Sequence, residues 1–169
     1  AVEKRNKGKS RMVGHALKQL ISHSKKIFVM GHVNPDMDCF GAALGVVRLC
    51  SLFDNEPSVV IDNYKDALSI AFKAAKESED YKFITSEKAL AMADKESLVI
   101  VVDTHRPSIV QCPGLLEVCD RVVVIDHHRR SESFISDADI IYHEPFASSA
   151  CEMVAEIMQY FDTRYSVST

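Results

Sequence analysis

The sequence has no C-x-x-C pair, and no apolar run approaches the roughly 20 residues of a membrane-spanning helix. Its N-terminus lacks the pattern of a secretory signal peptide. The five cysteines are an odd number and lie mostly in apolar or helical stretches. This usage argues against a disulfide framework or a zinc finger and indicates a reducing, cytoplasmic compartment. The net charge of −4 gives no reason to expect long nucleic acids as partners.

What the sequence does contain is a series of short apolar runs that alternate with helical patterns. The 169 residues are enough for one domain with a substantial core. The polar, basic segment 1–9 is expected to be a linker, and residues 10–169 the domain. Helices are predicted at 10–24, 39–53, 64–78, 86–93 and 148–161, and strands at 26–30, 58–61, 82–84, 97–103, 121–126 and 139–144. Because several strands are apolar on both faces, we predict an α/β fold with a mainly parallel sheet flanked by helices on both faces.

Acidic residues and histidines follow three of the predicted strands directly. The first strand is followed by His32, Asp36 and Asp38, the run "SLVIVV" by Asp103, and the run "RVVVI" by the sequence "DHH" at 126–128. Each cluster alone has a simpler explanation, such as a helix cap, a turn or a solvated loop. Parallel strands place their carboxyl ends at one edge of a sheet, where α/β proteins bind ligands. The shared position therefore favours one composite site.

The residue types at this edge indicate divalent metal ions. Carboxylate oxygens and imidazole nitrogens without thiolates suit Mn²⁺, Fe²⁺ or Zn²⁺, and an oxygen-rich set favours Mn²⁺ or Mg²⁺. Five candidate ligands are too many for one catalytic ion but fit two ions that share a carboxylate. The nearby Arg106, Arg129 and Arg130 could neutralise phosphate oxygens. The residues alone thus predict a two-metal phosphohydrolase.

Four motifs of the chain resemble those of the DHH superfamily of phosphoesterases. They are "GHVNPDMD" (31–38), "VVDTHRPS" (101–108), "VIDHHRR" (124–130) and "EPFASSACE" (144–152). The sequence looks most similar to the bacterial DHH–DHHA1 phosphodiesterases that hydrolyse cyclic di-AMP to linear pApA. The resemblance implies a Mn²⁺-dependent enzyme of two metal ions, with a cyclic dinucleotide as substrate.

The resemblance also implies a role for each matching residue. His32 and Asp36 would bind one Mn²⁺, Asp38 and His127 the other, and Asp103 would bridge them. His128 would contact the scissile phosphate as a catalytic residue together with Asp103, and Asp126 would orient an imidazole from behind. The residues expected to contact substrate are Asn34, His105, Arg106, Arg129, Ser148 and Ser149. Ser149 and Glu152 also have the spacing of a helix capping box.

The chain departs from the family pattern at its C-terminal end. The family's last metal-binding aspartate and its DHHA1 domain have no counterpart, and Asp162 is expected to be a helix-end residue, not a ligand. We therefore expect an incomplete DHH domain, weak or inactive alone, from a parent protein that is anchored at the cytoplasmic face of a membrane and can form a homodimer. Two alternatives remain. One is an oligoribonuclease or 3′-phosphoadenosine 5′-phosphate phosphatase of the DHH–DHHA1 type, and the other is a non-catalytic nucleotide-binding regulatory module.

Overall fold

A six-stranded, fully parallel sheet forms the centre of the protein, as seen in a computed structural model that describes the backbone of residues 2–167 and the side chains of residues 8–161. The strands are β1 (Ile27–Met30), β2 (Ser58–Val60), β3 (Lys82–Ile84), β4 (Leu98–Val102), β5 (Arg121–Asp126) and β6 (Ile140–His143). The helices are α1 (Val2–Ser22), α2 (Met37–Ser51), α3 (Ser69–Glu77), α4 (Ser86–Met92), α5 (Pro113–Val118) and α6 (Ala150–Val167). The predicted strands and their parallel pairing are thus confirmed.

Helices cover both faces of this sheet. Alternate residues of a strand point to opposite faces, so Val29 and Ile100 pack in one buried cluster with side chains of α1, α2 and α6, whereas Met30 and Val101 pack in another with α4 and α5. All five residues of β4 are buried, which explains why this strand reads as a continuous apolar run. The predicted α/β fold with helices on both faces is therefore confirmed.

The strand order is β3-β2-β1-β4-β5-β6. After β1 the chain adds β2 and β3 on one side of it, and then β4, β5 and β6 on the other side, so the strand order reverses between β1 and β4. In an open α/β sheet, ligands bind beyond the carboxyl ends of the strands at such a reversal, where the two connections leave in opposite directions. His32 follows β1 and Asp103 follows β4. The sheet thus places two of the three predicted clusters on either side of this crevice, and β5 brings the third beside them.

The helices differ from the sequence prediction in three places. Helix α1 begins at Val2, so it runs through most of the segment for which a linker was expected. Helix α5 was not predicted, because its turn-rich neighbourhood and Pro113 suggested a loop. Proline is favourable in a first helical turn, however, and the buried Leu115 anchors this one. Asp162 lies within α6 and not at its end, although its side chain is outside the described part.

Within the described residues, no helix combines the length and the apolar character needed to cross a membrane.

Candidate metal centre

The backbone around His32 is fixed by the segment that follows β4. The amide of Gln111 donates to the Gly31 carbonyl at 2.9 Å, and the amide of Val33 donates to the Ile109 carbonyl at 2.7 Å. The side-chain amide of Gln111 also donates to the carbonyl of His32 at 3.2 Å. These bonds join the loop after β1 to the loop after β4, and they hold the imidazole of His32 over the end of the sheet.

The two ring nitrogens of His32 have different partners. Its Nδ1 lies 2.9 Å from the Val33 carbonyl, and its Nε2 lies 3.2 Å from Oδ2 of Asp103. A bond from Nδ1–H to a carbonyl leaves Nε2 as the metal-binding atom, which is the usual arrangement of ligating histidines. The Asp103 carboxylate is the main cause that raises the pKa of His32 to about 11. This position therefore stabilises positive charge, which a bound cation can also supply.

Asp103 lies at the centre of the cluster and is 2% exposed. Its φ of 62° is in the left-handed region, which costs of order 1–3 kcal/mol for a residue other than glycine and is concentrated at functional sites. Within the described residues its Oδ1 has no hydrogen-bond partner, although Nε2 of His127 is 3.3 Å away. Burial raises the pKa of the Asp103 carboxyl, and the carboxylates of Asp38 and Asp36 raise it further. An orphaned, crowded carboxylate facing imidazole nitrogens fits a metal ligand.

Asp36 and Asp38 both lie at the start of α2 but have different partners. Asp36 is the N-cap of the helix, and its Oδ1 accepts from the Cys39 amide at 2.8 Å. The carboxylate of Asp38 instead accepts from the amides of Ala150 and Cys151, both at 3.0 Å, at the start of α6. Burial opposes the ionised form of Asp38, but these two bonds outweigh it and lower its pKa. Asp38 therefore occupies the Ala150 and Cys151 amides at the start of α6.

His127 completes the row of candidate ligands. Its Nε2 lies 3.6 Å from Oδ2 of Asp38 and 3.3 Å from Oδ1 of Asp103. The side chains of His32, Asp103, His127 and Asp38 thus form one continuous row across the carboxyl edge. Asp36 is exposed beside the row and has one carboxylate oxygen committed to the helix cap. The structure therefore brings together four of the five predicted ligands directly and the fifth at the rim.

Asp126 is fully buried behind this row and binds two imidazoles. Its Oδ1 is 2.6 Å from Nδ1 of His128, and its Oδ2 is 2.6 Å from Nδ1 of His105. Burial opposes the ionised form of Asp126, but the hydrogen bonds from His105 and His128 outweigh it and lower its pKa. With Nδ1 fixed in this way, the half-exposed ring of His128 presents Nε2 to the open side of the site.

His105 lies inside the protein, although we expected it to contact substrate. The residue is 6% exposed, and its Nε2 accepts from the Ser131 amide at 3.0 Å. Its carbonyl accepts from the amide of Ile135 at 2.8 Å. Both ring nitrogens are thus engaged, and His105 links Asp126 to the loop that bears Arg129. Its geometry is that of a residue that positions this loop.

The other expected substrate contacts lie on exposed loops or in a helix cap. Asn34, Arg106 and Arg129 are exposed near the metal centre, and Asn34 has a left-handed φ of 51°. Oγ of Ser149 accepts from the Glu152 amide at 3.1 Å, and the Glu152 carboxylate accepts from the Ser148 amide at 2.8 Å. The capping box is therefore present, and both serines belong to it. The bond to the Glu152 carboxylate comes from the amide of Ser148, one residue before the amide of Ser149 that a regular capping box uses.

Two residues at the site were missed in the sequence. His143, at the end of β6, donates from Nε2 to the carbonyl of His128 and lies against the ring of His105. The buried Cys39 forms a group with His32 and Asp103 in which the three potential ligand atoms lie within 4.8 Å of one another. The signal in the sequence was its position directly after Asp38.

The thiol of Cys39 occupies the space that a side chain at Gly31 would need. An added Cβ at Gly31 would lie 2.0 Å from the Sγ of Cys39 and 3.2 Å from the Val102 carbonyl oxygen. We expect Gly31→Ala to lower the free energy of unfolding by about 1–3 kcal/mol, the usual cost of overpacking. The loss should be smaller when Cys39 is also replaced by alanine, because the closest contact is then removed. Urea unfolding of the parent chain, the two single variants and the double variant measures the cost of Gly31→Ala with and without the Cys39 thiol.

The chain provides a matched control for that cycle. Gly8 lies in α1 with nothing within 4 Å of an added Cβ, so Gly8→Ala should leave stability unchanged or raise it by up to about 1 kcal/mol. Equal losses for Gly31→Ala with and without the Cys39 thiol would contradict the packing explanation.

A cavity of about 310 Å³ lies away from this site, beside the end of α2 and the segments that precede β2 and β3. It is lined by a mixture of charges that includes Arg48, Glu56 and Lys82. Since it lies at the amino-terminal edge of the sheet, away from the candidate ligands, we assign the chemistry to the carboxyl edge and not to this cavity.

Comparison with known proteins gives three relatives with the same named activity over nearly the whole chain. The cyclic-di-AMP phosphodiesterase GdpP of Bacillus subtilis is 37% identical over 171 residues, covering 99% of this chain and 26% of that protein. The GdpP of Geobacillus thermodenitrificans is 40% identical with the same coverage. The cyclic-di-AMP phosphodiesterase PdeA of Listeria monocytogenes is 40% identical, covering 94% of this chain and 25% of that protein. The chain therefore spans about a quarter of the length of these relatives.

A solved structure and a family match agree with the fold. An exopolyphosphatase-related protein from Bacteroides fragilis superposes with a TM-score of 0.68 over 89% of this chain and 44% of that one, at 21% identity. Residues 26–168 match the DHH family, N-terminal domain, which covers β1 to the end of α6 and all of the candidate ligands. With motifs, strand order and this match in agreement, the chain belongs to the DHH family.

Proposed function

We propose that this chain provides the metal-binding part of a Mn²⁺-dependent phosphodiesterase that hydrolyses cyclic di-AMP to linear pApA. The main supporting observation is the buried Asp103 carboxylate, whose unpartnered oxygen lies between imidazoles at the reversal point of the sheet. Three relatives at 37–40% identity are named as cyclic-di-AMP phosphodiesterases, which supports this substrate. Those proteins are about four times longer than this chain.

The proposed metal ligands follow the row of side chains at the carboxyl edge. His32 and Asp36 would hold one ion, Asp38 and His127 the second, and Asp103 would bridge them. The separations of 3.2 Å between His32 and Asp103 and 3.3 Å between Asp103 and His127 agree with ligand atoms that face common ions. Because one oxygen of Asp36 caps α2, only its other oxygen is free to bind. Two such ions lower the pKa of a shared water and neutralise charge on a phosphate.

Residues around the row have separate proposed tasks. Asp126 holds Nδ1 of His128, so that Nε2 of His128 can hydrogen-bond an oxygen of the scissile phosphate. The exposed guanidinium groups of Arg106 and Arg129 would bind the remaining phosphate oxygens. His105 is proposed to act through the loop that it holds, and Ser148 and Ser149 through the cap of α6, which also presents two amides to Asp38.

The test is Mn²⁺-dependent cleavage of cyclic di-AMP, with products separated by chromatography. The full natural protein and residues 1–169 should be assayed side by side, after removal of metals and addition of Mn²⁺, Mg²⁺ or Zn²⁺ in turn. We expect pApA from the full protein and slow turnover or none from residues 1–169. Comparable rates from the two would contradict the expectation that the shorter chain is an incomplete enzyme.

A second candidate is a phosphodiesterase for linear substrates. The bifunctional oligoribonuclease and PAP phosphatase NrnA of Mycoplasma genitalium is 27% identical over 140 residues, or 81% of this chain. Cleavage of linear dinucleotides or 3′-phosphoadenosine 5′-phosphate by a protein that leaves cyclic di-AMP intact would favour this candidate.

A further inference from the structure

The loop between β6 and α6, residues 144–149, is attached to the metal centre at both ends. At its start, the amide of Glu144 donates to the Asp126 carbonyl at 3.1 Å, and the preceding His143 binds the carbonyl of His128. At its end, the amide of Ala150 donates to the Asp38 carboxylate at 3.0 Å. Since β6 is the edge strand beside β5 and α6 begins against the start of α2, the loop passes along the edge that bears the candidate ligands.

The tip of this loop is a turn that presents one aromatic ring. The amide of Ala147 donates to the Glu144 carbonyl at 3.1 Å, which closes a four-residue turn with Pro145 and Phe146 at its centre. Proline favours the second position of such a turn because its φ is already set. Lys9 also pairs with the Glu144 carboxylate at 2.8 Å and holds the start of the turn to α1. The ring of Phe146 is thus carried by a constrained backbone.

Phe146 is 89% exposed, which makes it the most exposed large apolar side chain in the described part of the chain. Folding therefore gains almost nothing from its burial. Two further apolar side chains, Val33 (47%) and Met37 (57%), are exposed beside His32 and Asp38. The segments next to the candidate ligands thus carry exposed apolar groups on the β1 side and an exposed aromatic ring on the β6 side.

We propose that Phe146 is a stacking surface for one adenine base of the cyclic dinucleotide, an inference that rests on the proposed function. A phosphodiester bound at the row of ligands has a nucleoside on each side, and the base on the β6 side would lie toward the loop that carries Phe146. A phenyl ring has a π-face and no hydrogen-bonding group, so it contributes affinity by stacking while leaving base identity to other contacts. Phe146 is therefore a substrate-binding residue and takes no part in bond cleavage.

The test uses the full natural protein with Phe146→Ala, Phe146→Tyr and Phe146→Leu. We expect Phe146→Ala to raise KM for cyclic di-AMP about tenfold, the order of one lost base-stacking contact, with kcat within about twofold. Tyrosine has an aromatic ring of the same kind, so Phe146→Tyr should have the KM of the parent protein. Leucine is apolar but has no planar ring on which a base can stack, so Phe146→Leu should have a KM as high as that of Phe146→Ala. Met92→Ala is the control, because the Met92 carbonyl binds Lys26 at the opposite edge of the sheet.

A second readout detects the base contact itself. In a cyclic dinucleotide with 2-aminopurine in place of one adenine, binding should quench the fluorescence in the parent protein and much less in Phe146→Ala. A leucine variant with the parent KM would overturn the proposal, since it would show that Phe146 needs only an apolar contact. An alanine variant with the parent KM and quenching would overturn it as well. If the parent protein neither binds nor cleaves cyclic di-AMP, the proposed function fails and the stacking proposal fails with it.

Discussion

Replacement of Asp103 by asparagine should abolish the phosphodiesterase activity of the full natural protein while leaving the metal-free fold of residues 1–169 at least as stable as that of the unchanged chain. Asparagine has the same shape and is one of the few residues that tolerate the φ of 62° found here. It removes the negative charge that would bridge two cations, so activity should fall by a factor on the order of 10³ or more. In the metal-free protein the same charge is a net burden, because burial and the carboxylates of Asp38 and Asp36 outweigh the hydrogen bond from His32.

The stability part of this prediction has a definite pH dependence. Burial raises the pKa of Asp103 above the ordinary value of 3.8, so the folded state binds the proton more tightly than the unfolded state does. The stabilisation from the protonated carboxyl is fully present below pH 3.8 and is lost as the pH rises through the higher folded pKa. The advantage of Asp103→Asn over the parent should therefore be larger at pH 7 than at pH 4.

Three measurements on the same variant check this prediction. They are kcat/KM with Mn²⁺, Mn²⁺ affinity by calorimetry, and urea unfolding in the presence of a chelator at pH 4 and pH 7. Asp66→Asn, an exposed carboxylate at the start of a short 3-10 helix, is the control for the loss of one charge. A variant that keeps its activity, or one that loses its metal-free stability at pH 7, would contradict the assignment of Asp103 as a ligand carboxylate.

The sheet could be predicted from the sequence because its strands are buried on both faces. Continuous runs such as those of β4 and β5 leave few alternatives, and the acidic or histidine residue at the end of each run marks the carboxyl edge. Helix α5 could not be predicted, since only the burial of Leu115 beneath the sheet overrides the turn-forming character of Pro113 and Gly114. The neighbouring positions of β1 and β4 also depend on long-range pairing and not on any local pattern.

The ligand types were predictable, but the partners that hold them were not. Nothing near Asp38 in the sequence indicates that its carboxylate binds amides 112 and 113 residues away, which makes α6 part of the site. His105 likewise follows a strand end, as a substrate-binding residue would, yet its ring turns inward to Asp126 and Ser131. The inward direction follows from a buried carboxylate on the neighbouring strand, which only the assembled sheet provides.

Replacement of Asp126 by alanine should cause the largest loss of stability of any single change at the site. Asp126 is 0% exposed and accepts hydrogen bonds from the imidazoles of His105 and His128 and from the amide of His127. Its removal leaves Nδ1–H of the buried His105 ring without an acceptor and breaks three hydrogen bonds to a charged group, which together cost about 3–5 kcal/mol. Asp126→Asn keeps the shape and one acceptor, so its loss should be smaller, about 1–3 kcal/mol.

At low pH, the parent chain and the two Asp126 variants should have similar free energies of unfolding. The hydrogen bonds lower the pKa of Asp126 below 3.8 despite burial, so its stabilisation is present above pH 3.8 and is lost as the pH falls through the lower folded pKa. Urea unfolding at pH 7 and near pH 2 measures the change. Asp139→Ala is the control, because this exposed aspartate accepts a single backbone bond from Val122 and should cost only about 1 kcal/mol.

The same variants separate the two tasks proposed for Asp126. Both oxygens of Asp126 accept hydrogen bonds that stabilise the fold, whereas the proposed catalytic role of His128 requires only the bond to Oδ1. Asp126→Asn should therefore remain folded at 25 °C and lower kcat by about 10–100-fold, the usual effect of losing a group that orients a site residue. For Asp126→Ala, the activity should fall in proportion to the fraction of the protein that remains folded. If Asp126→Asn is folded and fully active, Asp126 supports the sheet and the loop of His105, and His128 needs no orientation from it.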